Sequence, residues 1–511
     1  MAEGLNAKLG AAWGAVQARP ALSSVILGLI AALGYPPVHA WYVAIPAIAA
    51  FVALLHLSDD WRSAAWRGWL FGWAHLTLAN NWIATAFTYQ AKMPEFLGWL
   101  AVPLLCIYLA VYPALASVTA HLIARGRGLT AFAFVFAGAW ILFEWARSWV
   151  FTGYPWPPLG LILLGGWDTP GLARALPYLG TYALSGMAVL IAAAVARGVQ
   201  RRHWKMLSLF AGLVALQMLL PQARTSPQEG TAFTLVQPLI PQEEINDGSK
   251  FDEHFARIAG LTMTERDKSR VVFWPESSIP DYLEDGYPQR HYDRMNAINP
   301  DTGRGDPEYA RRRIGRVIGP QSSLLAGVVN LDIVQESGTS RAVSARNSVL
   351  GLNGEGEITH HYAKAHLVPY GEYLPMRPIL EPLGLSRLVA GSIDYKPGPG
   401  PRTLDLGEHG MAGVQICYEI VFSGQVVDQS DRPDYLFNPS NDGWFGLWGP
   451  PQHLAQARLR AIEEGLPILR STTTGISAVI DAQGVVLAHI PTGDSAAIEG
   501  IIPPAASPTL F

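Results

Sequence analysis

In GVQICYEIVF (413–422) an apolar strand ends on Cys417 and passes at once into an aromatic and an acidic residue, Tyr418 and Glu419. A cysteine at such a place is most often small apolar filler in a core. Its meaning therefore depends on which other strand ends the chain can bring to it. Two candidates stand out. WPESSIP (274–280) puts Glu276 directly after the apolar run VVFWP, where burial raises the pKa of a carboxyl toward the range useful for a general base. HHYAKAHLVPYGEYLP (360–375) puts Lys364 and Glu372 in a long irregular stretch, the kind of segment that carries function.

The surrounding sequence has the texture of an α/β domain. FTLVQ (233–237), RVVFWP (270–275), SLLAGVVN (323–330), SVLGLN (348–353), YLFNPSN (435–441) and SAVIDAQG (477–484) read as short strands. Helical spacing of apolar residues marks 250–266 and 451–465. Strands interleaved with helices predict a layered α/β fold. NGEG (353–356) and DAQG (481–484) predict hairpin turns. Zinc-ligand spacings and phosphate loops are absent from this half, so neither a metal nor a nucleotide cofactor is expected.

Upstream, the solvent changes. The chain has 511 residues, half of them hydrophobic and only 15% charged, where a soluble protein has about 25%. Residues 1–224 hold 14 Lys/Arg and 6 Asp/Glu, whereas the remainder holds 23 and 35. Seven apolar runs, about 21–35, 41–57, 65–87, 97–123, 129–149, 175–196 and 205–220, are candidate membrane spans. The first lacks a convincing signal-peptide cleavage site and reads as an uncleaved span. Lys8, Arg19, Arg62, Arg67, Arg125, Arg127, Arg197, Arg201, Arg202 and Lys205 lie at one set of ends; Lys92, Arg147, Arg174 and Arg224 lie at the other. The positive-inside rule then places the N-terminus in the cytoplasm. An odd number of spans puts everything after about residue 224 on the opposite side. Glu144 in WILFEWARSW is an intramembrane carboxylate for which Arg147, one turn on, is the expected partner. Cys106 in PLLCIYL reads as core filler, and the two cysteines, in different halves, predict no disulfide. A net charge of −4 gives no reason to expect nucleic acid.

WPES, the K-x-H-L-V-P-Y-G-E stretch and the C-Y-E strand end, in that order, resemble the nitrilase (carbon–nitrogen hydrolase) superfamily. Seven spans ahead of such a domain resemble the bacterial apolipoprotein N-acyltransferases, as do VQPLIPQ (236–242), NPSNDGWFG (438–446) and RSTTTGISAVID (470–481). The resemblance covers about 15–505. It implies a multi-pass helical bundle (1–224), a nitrilase-like α-β-β-α sandwich outside the cytoplasm (225–500), and a stub (501–511) where the family has a further transmembrane helix. It implies Cys417 as nucleophile, Glu276 as general base and Lys364 as oxyanion stabiliser, with Glu372, Tyr418 and Glu419 supporting activity or shaping the pocket. It also implies the reaction: an acyl group passes from a phospholipid, usually phosphatidylethanolamine, to a Cys417 thioester. From there it goes to the α-amino group of the diacylglyceryl cysteine that opens an apolipoprotein. A bacterial inner-membrane protein with a periplasmic catalytic domain and no cofactor follows, a monomer being the simplest assembly.

Two features depart from the family pattern or extend it. Members carry a Trp soon after the IPQ stretch, where Phe251 is the nearest aromatic residue here. The apolar stretches 375–393 and GWFGLWGPP (443–451) suggest a lid or membrane-dipping arm that admits acyl chains. Two other readings compete. A membrane-tethered hydrolase would use the same three residues but has no need of seven spans, and a transporter or receptor would need polar spans and no Cys–Glu–Lys set.

Overall fold

A computed structural model describes residues 2–89, 96–223, 227–336, 339–383 and 393–511. Lys92, Arg224, the expected boundary at 224 and residues 384–392 of the proposed lid lie outside the described residues.

Helices cover each of the seven apolar runs: Pro20–Ala32, Trp41–His56, Trp61–Ala79, Phe96–Leu109 continued by Val111–Ala124, Leu129–Arg147, Leu176–Gln200 and Trp204–Leu219. Fewer are long and apolar enough to cross a bilayer by length and composition alone. Phe96–Ala124, Leu129–Arg147 and Gly171–Gln200 qualify among the described residues, and a fourth does if Gly10–Ala18 and Pro20–Ala32, bent by 113°, form one broken span. Trp41–His56 and Trp204–Leu219 have 16 residues each, about 24 Å of helix against about 30 Å of hydrocarbon. Trp61–Ala79 carries Arg62, Arg67 and His75. Phe51 and Phe71 stack at 3.9 Å in the bundle core, and Cys106 is buried among Leu76, Ala84, Val102 and Leu109. Glu144 and Arg147 lie 3.9 Å apart, but their hydrogen bonds go elsewhere. Glu144 Oε1 accepts from the Leu159 amide (2.8 Å) and the Trp140 indole (3.2 Å), and Arg147 donates to the Pro157 carbonyl (2.9 Å).

The second half is built on two six-stranded sheets. One runs, edge to edge, through Ala496–Ile501, Ala232–Gln237, Arg270–Trp274, Ser322–Glu336, Thr339–Leu352 and Ile358–Ala363. The other runs through Val486–Ile490, Ser477–Ile480, Ile468–Thr472, Tyr435–Ser440, Met411–Val414 and Thr403–Asp405. Phe233, Leu235, Val271 and Phe273 of the first sheet share a core with Val414, Leu436, Phe437 and Leu469 of the second. On the outer face of the first sheet, helices Phe251–Thr262 and Pro307–Ile318 pack Ile258, Ile314 and Val317 against Val272, Trp274 and Leu324. Asp306 caps the second of these helices, accepting from the Glu308 and Tyr309 amides. Both expected hairpins are present: the NGEG turn joins Thr339–Leu352 to Ile358–Ala363, and the DAQG turn joins Ser477–Ile480 to Val486–Ile490, each pair antiparallel.

Helix Gly449–Glu464 covers the second sheet and completes the α-β-β-α order. Leu454, Ala457 and Ala461 face the sheets, while Ala455, Leu459 and Ile462 join the core of the membrane bundle. Its polar residues serve the seam between the halves. Gln452 accepts from the Trp156 indole (2.8 Å) and donates to the Pro36 and Ala79 carbonyls (both 3.1 Å). Arg458 donates to the carbonyls of Gly165, Gly166, Thr169 and Gly484.

Candidate active site

Arg270–Trp274 runs parallel to both of its neighbours, and Met411–Val414 runs parallel to Tyr435–Ser440. Just past the C-terminal ends of these strands, where backbone and side chains leave the ladder, stand Glu276, Cys417 and Asn441, the location that open parallel sheets favour for ligands. Cys417 and Ser277, the residue after Glu276, both take left-handed backbone conformations, with φ of 53° and 54°. Each costs about 1–2 kcal/mol for a residue with a Cβ, so strain is concentrated on the two turns that present the thiol and the carboxylate. Gly327 on the neighbouring strand makes room for the Glu276 turn, since a Cβ there would sit 2.5 Å from Glu276 Cα.

Lys364, 1% exposed, leaves the end of strand Ile358–Ala363 and lies between two carboxylates. Its Nζ is 3.0 Å from Glu372 Oε1 and 3.7 Å from Glu276 Oε1. Burial alone would push the amine's pKa down, but Glu372 and then Glu276 outweigh it and hold it above the ordinary lysine range. Asn347 completes the arrangement. Its amide donates to Glu276 Oε1 (2.7 Å) and Glu372 Oε1 (2.8 Å), while the second oxygens accept from the amides of Asn441 (2.7 Å) and Val368 (2.7 Å).

Cys417 is 5% exposed. Burial and then Glu276 raise its pKa well above the usual thiol range, while Lys364 and the Asn441 amide pull it back. At neutral pH it rests protonated, so an attack by this sulfur needs a base that takes the proton as the bond forms. A thiol, a buried carboxylate and a fixed ammonium have the chemistry that acyl transfer calls for: an atom able to attack, a group able to accept its proton and a positive charge able to face an oxyanion.

The sequence-predicted residues divide into two groups. Glu276, Lys364, Glu372 and Cys417 come together. Glu419 is one layer removed and acts as a staple: its carboxylate accepts from the Ile416, Ala365 and His366 amides (2.7, 2.6 and 3.3 Å) and the Tyr362 hydroxyl (2.9 Å). That ties the cysteine turn to the lysine loop. Burial raises its pKa to about 7 against those donors. Tyr418 turns toward the membrane half, its hydroxyl 3.4 Å from the Gly153 carbonyl and its ring edge-on to Phe422. Among the described residues no cluster of three or more His, Cys, Asp or Glu could hold a metal ion. Three groups escaped the sequence reading: Asn347, the Asn441 amide, and a buried Asp442–His453–Arg470 cluster behind Cys417. NPSNDGWFG (438–446) pointed to the right loop without giving these roles.

Two packed sheets carrying a Glu, Lys and Cys at their strand ends define a domain of the carbon–nitrogen hydrolase class, and the carbon-nitrogen hydrolase family model matches residues 192–502. The model for the apolipoprotein N-acyltransferase N-terminal domain matches residues 27–194. Curated apolipoprotein N-acyltransferases align over nearly the whole chain. That of Allorhizobium ampelinum is 31% identical, covering 92% of this chain and 88% of its own. That of Caulobacter vibrioides is 32% identical, covering 95% and 89%, and that of Rhodopseudomonas palustris 29%, covering 98% and 92%. The chain belongs to the apolipoprotein N-acyltransferase family, and it is an acyltransferase.

Proposed function

We propose that this protein N-acylates the α-amino group of the S-diacylglyceryl cysteine at the N-terminus of apolipoproteins, with a phospholipid, in the first instance phosphatidylethanolamine, as donor. Cys417 Sγ attacks the ester carbonyl while its proton passes to Glu276. The tetrahedral oxyanion forms beside the Lys364 ammonium. The ester C–O bond breaks, and Glu276 returns the proton to the departing lysophospholipid hydroxyl. The acceptor amine then attacks the thioester, Glu276 takes the amine proton, and the thiolate leaves and is reprotonated. Two half-reactions through one covalent intermediate give ping-pong kinetics.

The observation that carries this reading is the Lys364 ammonium, fixed by Glu372 at 3.0 Å and Glu276 at 3.7 Å and electrostatically coupled to Cys417. The near-complete burial of the sulfur favours aminolysis over hydrolysis, because a thioester shielded from water persists until an amine arrives. Both substrates keep their tails in lipid, which accounts for a catalytic domain fastened to a helical bundle. Met376, Ile379 and Leu447 expose apolar side chains that suit an arm dipping into the outer leaflet. The topology we assign has the N-terminus in the cytoplasm, residues 1–224 in the inner membrane and the catalytic domain, from 225, in the periplasm, the chain acting as a monomer.

Intact mass spectrometry after incubation with phosphatidylethanolamine tests this. The expected result is a hydroxylamine-labile acyl adduct on wild type and none on Cys417→Ser, discharged by a diacylated lipopeptide that becomes triacylated. Release of free fatty acid in place of a triacylated peptide would establish the tethered hydrolase instead.

A further inference from the structure

We propose that His453 is a positioning residue for the nucleophile, holding Cys417 in its left-handed conformation through the backbone carbonyl. The inference rests on the reading of Cys417 as the acylated residue. His453 Nε2 lies 3.0 Å from the Cys417 carbonyl oxygen. A carbonyl only accepts, so Nε2 carries a proton and donates it. At the other edge of the ring, Nδ1 lies 2.9 Å from Asp442 Oδ1 and 3.0 Å from Arg470 Nη2. Arg470 grips both oxygens of Asp442 (2.8 and 2.7 Å) and also donates to Ser440 Oγ (2.9 Å).

Gly475 packs closely on Asp442, since a Cβ at that glycine would lie 2.3 Å from Asp442 Oδ2. The imidazole packs against Trp156 and Phe445, which also touch one another, with ring centroids at 5.0 and 5.4 Å from it. All three polar residues are buried. A fixed ion pair thus fixes a ring, and the ring fixes the carbonyl of a residue whose φ of 53° it would otherwise tend to leave.

The same loop also registers the base. Asn441, adjacent to Asp442, donates its amide to Glu276 Oε2 at 2.7 Å. On the helix, the neighbour of His453 is Gln452, hydrogen-bonded to Trp156 and to the Pro36 and Ala79 carbonyls of the membrane half. The backbone of the nucleophile is therefore referenced to the carboxylate that takes its proton and to the bundle that brings the lipid.

The test uses full-length protein in detergent with phosphatidylethanolamine, measuring single-turnover thioester formation per folded molecule. His453→Gln keeps a donor near the Nε2 position; His453→Leu and His453→Met fill the space without one. Loss of a donor to a buried acceptor predicts roughly a tenfold or greater fall in thioester formation for the Leu and Met variants. KM for the phospholipid should be unchanged, and the Gln variant should stay near wild type. Wild-type rates in the Leu or Met variant, or a Gln variant as slow as they are, overturn the proposal; if neither apolar variant folds, the Gln rate alone decides. Wild type and Cys417→Ser, run alongside, report separately on the thioester itself.

Discussion

The Asn347 side-chain amide bridges Glu276 and Glu372, giving one hydrogen to each carboxylate at 2.7 and 2.8 Å. Two buried carboxylates so close repel each other, and a neutral amide with two donors serves both without adding charge. Asn347→Asp replaces that donor with a third acidic group. Thioester formation should fall by about 100-fold or more, as expected when a positioned base is lost, and Asn347→Ala should fall less. Acyl-adduct kinetics by mass spectrometry measure both. An Asp variant as fast as the Ala variant would mean that the bridge does not matter.

Lys364 is the counter-charge of the same pair. Lys364→Met leaves Glu276 and Glu372 facing one another without their cation, and breaking a buried ion pair costs about 3–5 kcal/mol. The variant should melt several degrees lower and form no thioester. Adding Glu372→Gln removes one of the two buried negative charges, so the double variant should regain stability while remaining inactive. Differential scanning fluorimetry and the adduct assay separate the two effects. A Met variant with wild-type Tm would show that the carboxylates find other compensation.

Glu419 makes stability depend on pH. Its carboxyl is raised by burial from an ordinary 4.5 to about 7, so the fold favours the protonated form. The stabilisation this gives is complete below the unfolded-state pKa near 4.5 and is lost as pH rises through about 7. Tm should therefore decline across that window in wild type and decline less in Glu419→Gln. Equal slopes for the two proteins would show that Glu419 is ionised throughout.

The reach of the sequence follows from where each signal is local. Glu276, Lys364 and Cys417 sit in short segments at strand ends, and NGEG and DAQG announce their turns by composition. Asn347 lies in the middle of TSRAVSARNSVLGL, with nothing nearby to mark it. Its role arises only when pairing brings the Lys364 amide to the Asn347 carbonyl at 2.9 Å. Helix Gly449–Glu464 misleads for a different reason. Its spacing marks a helix but not what buries its polar residues: Gln452 and Arg458 are taken up by the membrane half, and His453 by the Cys417 and Asp442 turns of its own domain. The spans show the converse: seven runs are apolar, but Trp41–His56 and Trp204–Leu219 stop short of full bilayer length.

Arg458 tests whether that seam is structural alone. It lies on the bundle-facing side of the helix and donates to four carbonyls, Gly165, Gly166, Thr169 and Gly484. Burial lowers its pKa to about 9, which still leaves it charged at neutral pH. Arg458→Met strands the buried Gly165, Thr169 and Gly484 carbonyls, each worth about 1–3 kcal/mol when left without a donor, while the Gly166 carbonyl keeps the Thr169 amide. Arg458→Lys offers three donors on a single nitrogen and should recover only part of the loss. Because Arg458 makes no hydrogen bond to Cys417, Glu276 or Lys364, both variants should lower Tm, the Met variant more. Thioester formation per folded molecule at low temperature should stay near wild type. A Met variant that folds normally yet acylates slowly would instead mean that the packing of the two halves sets the geometry of the nucleophile.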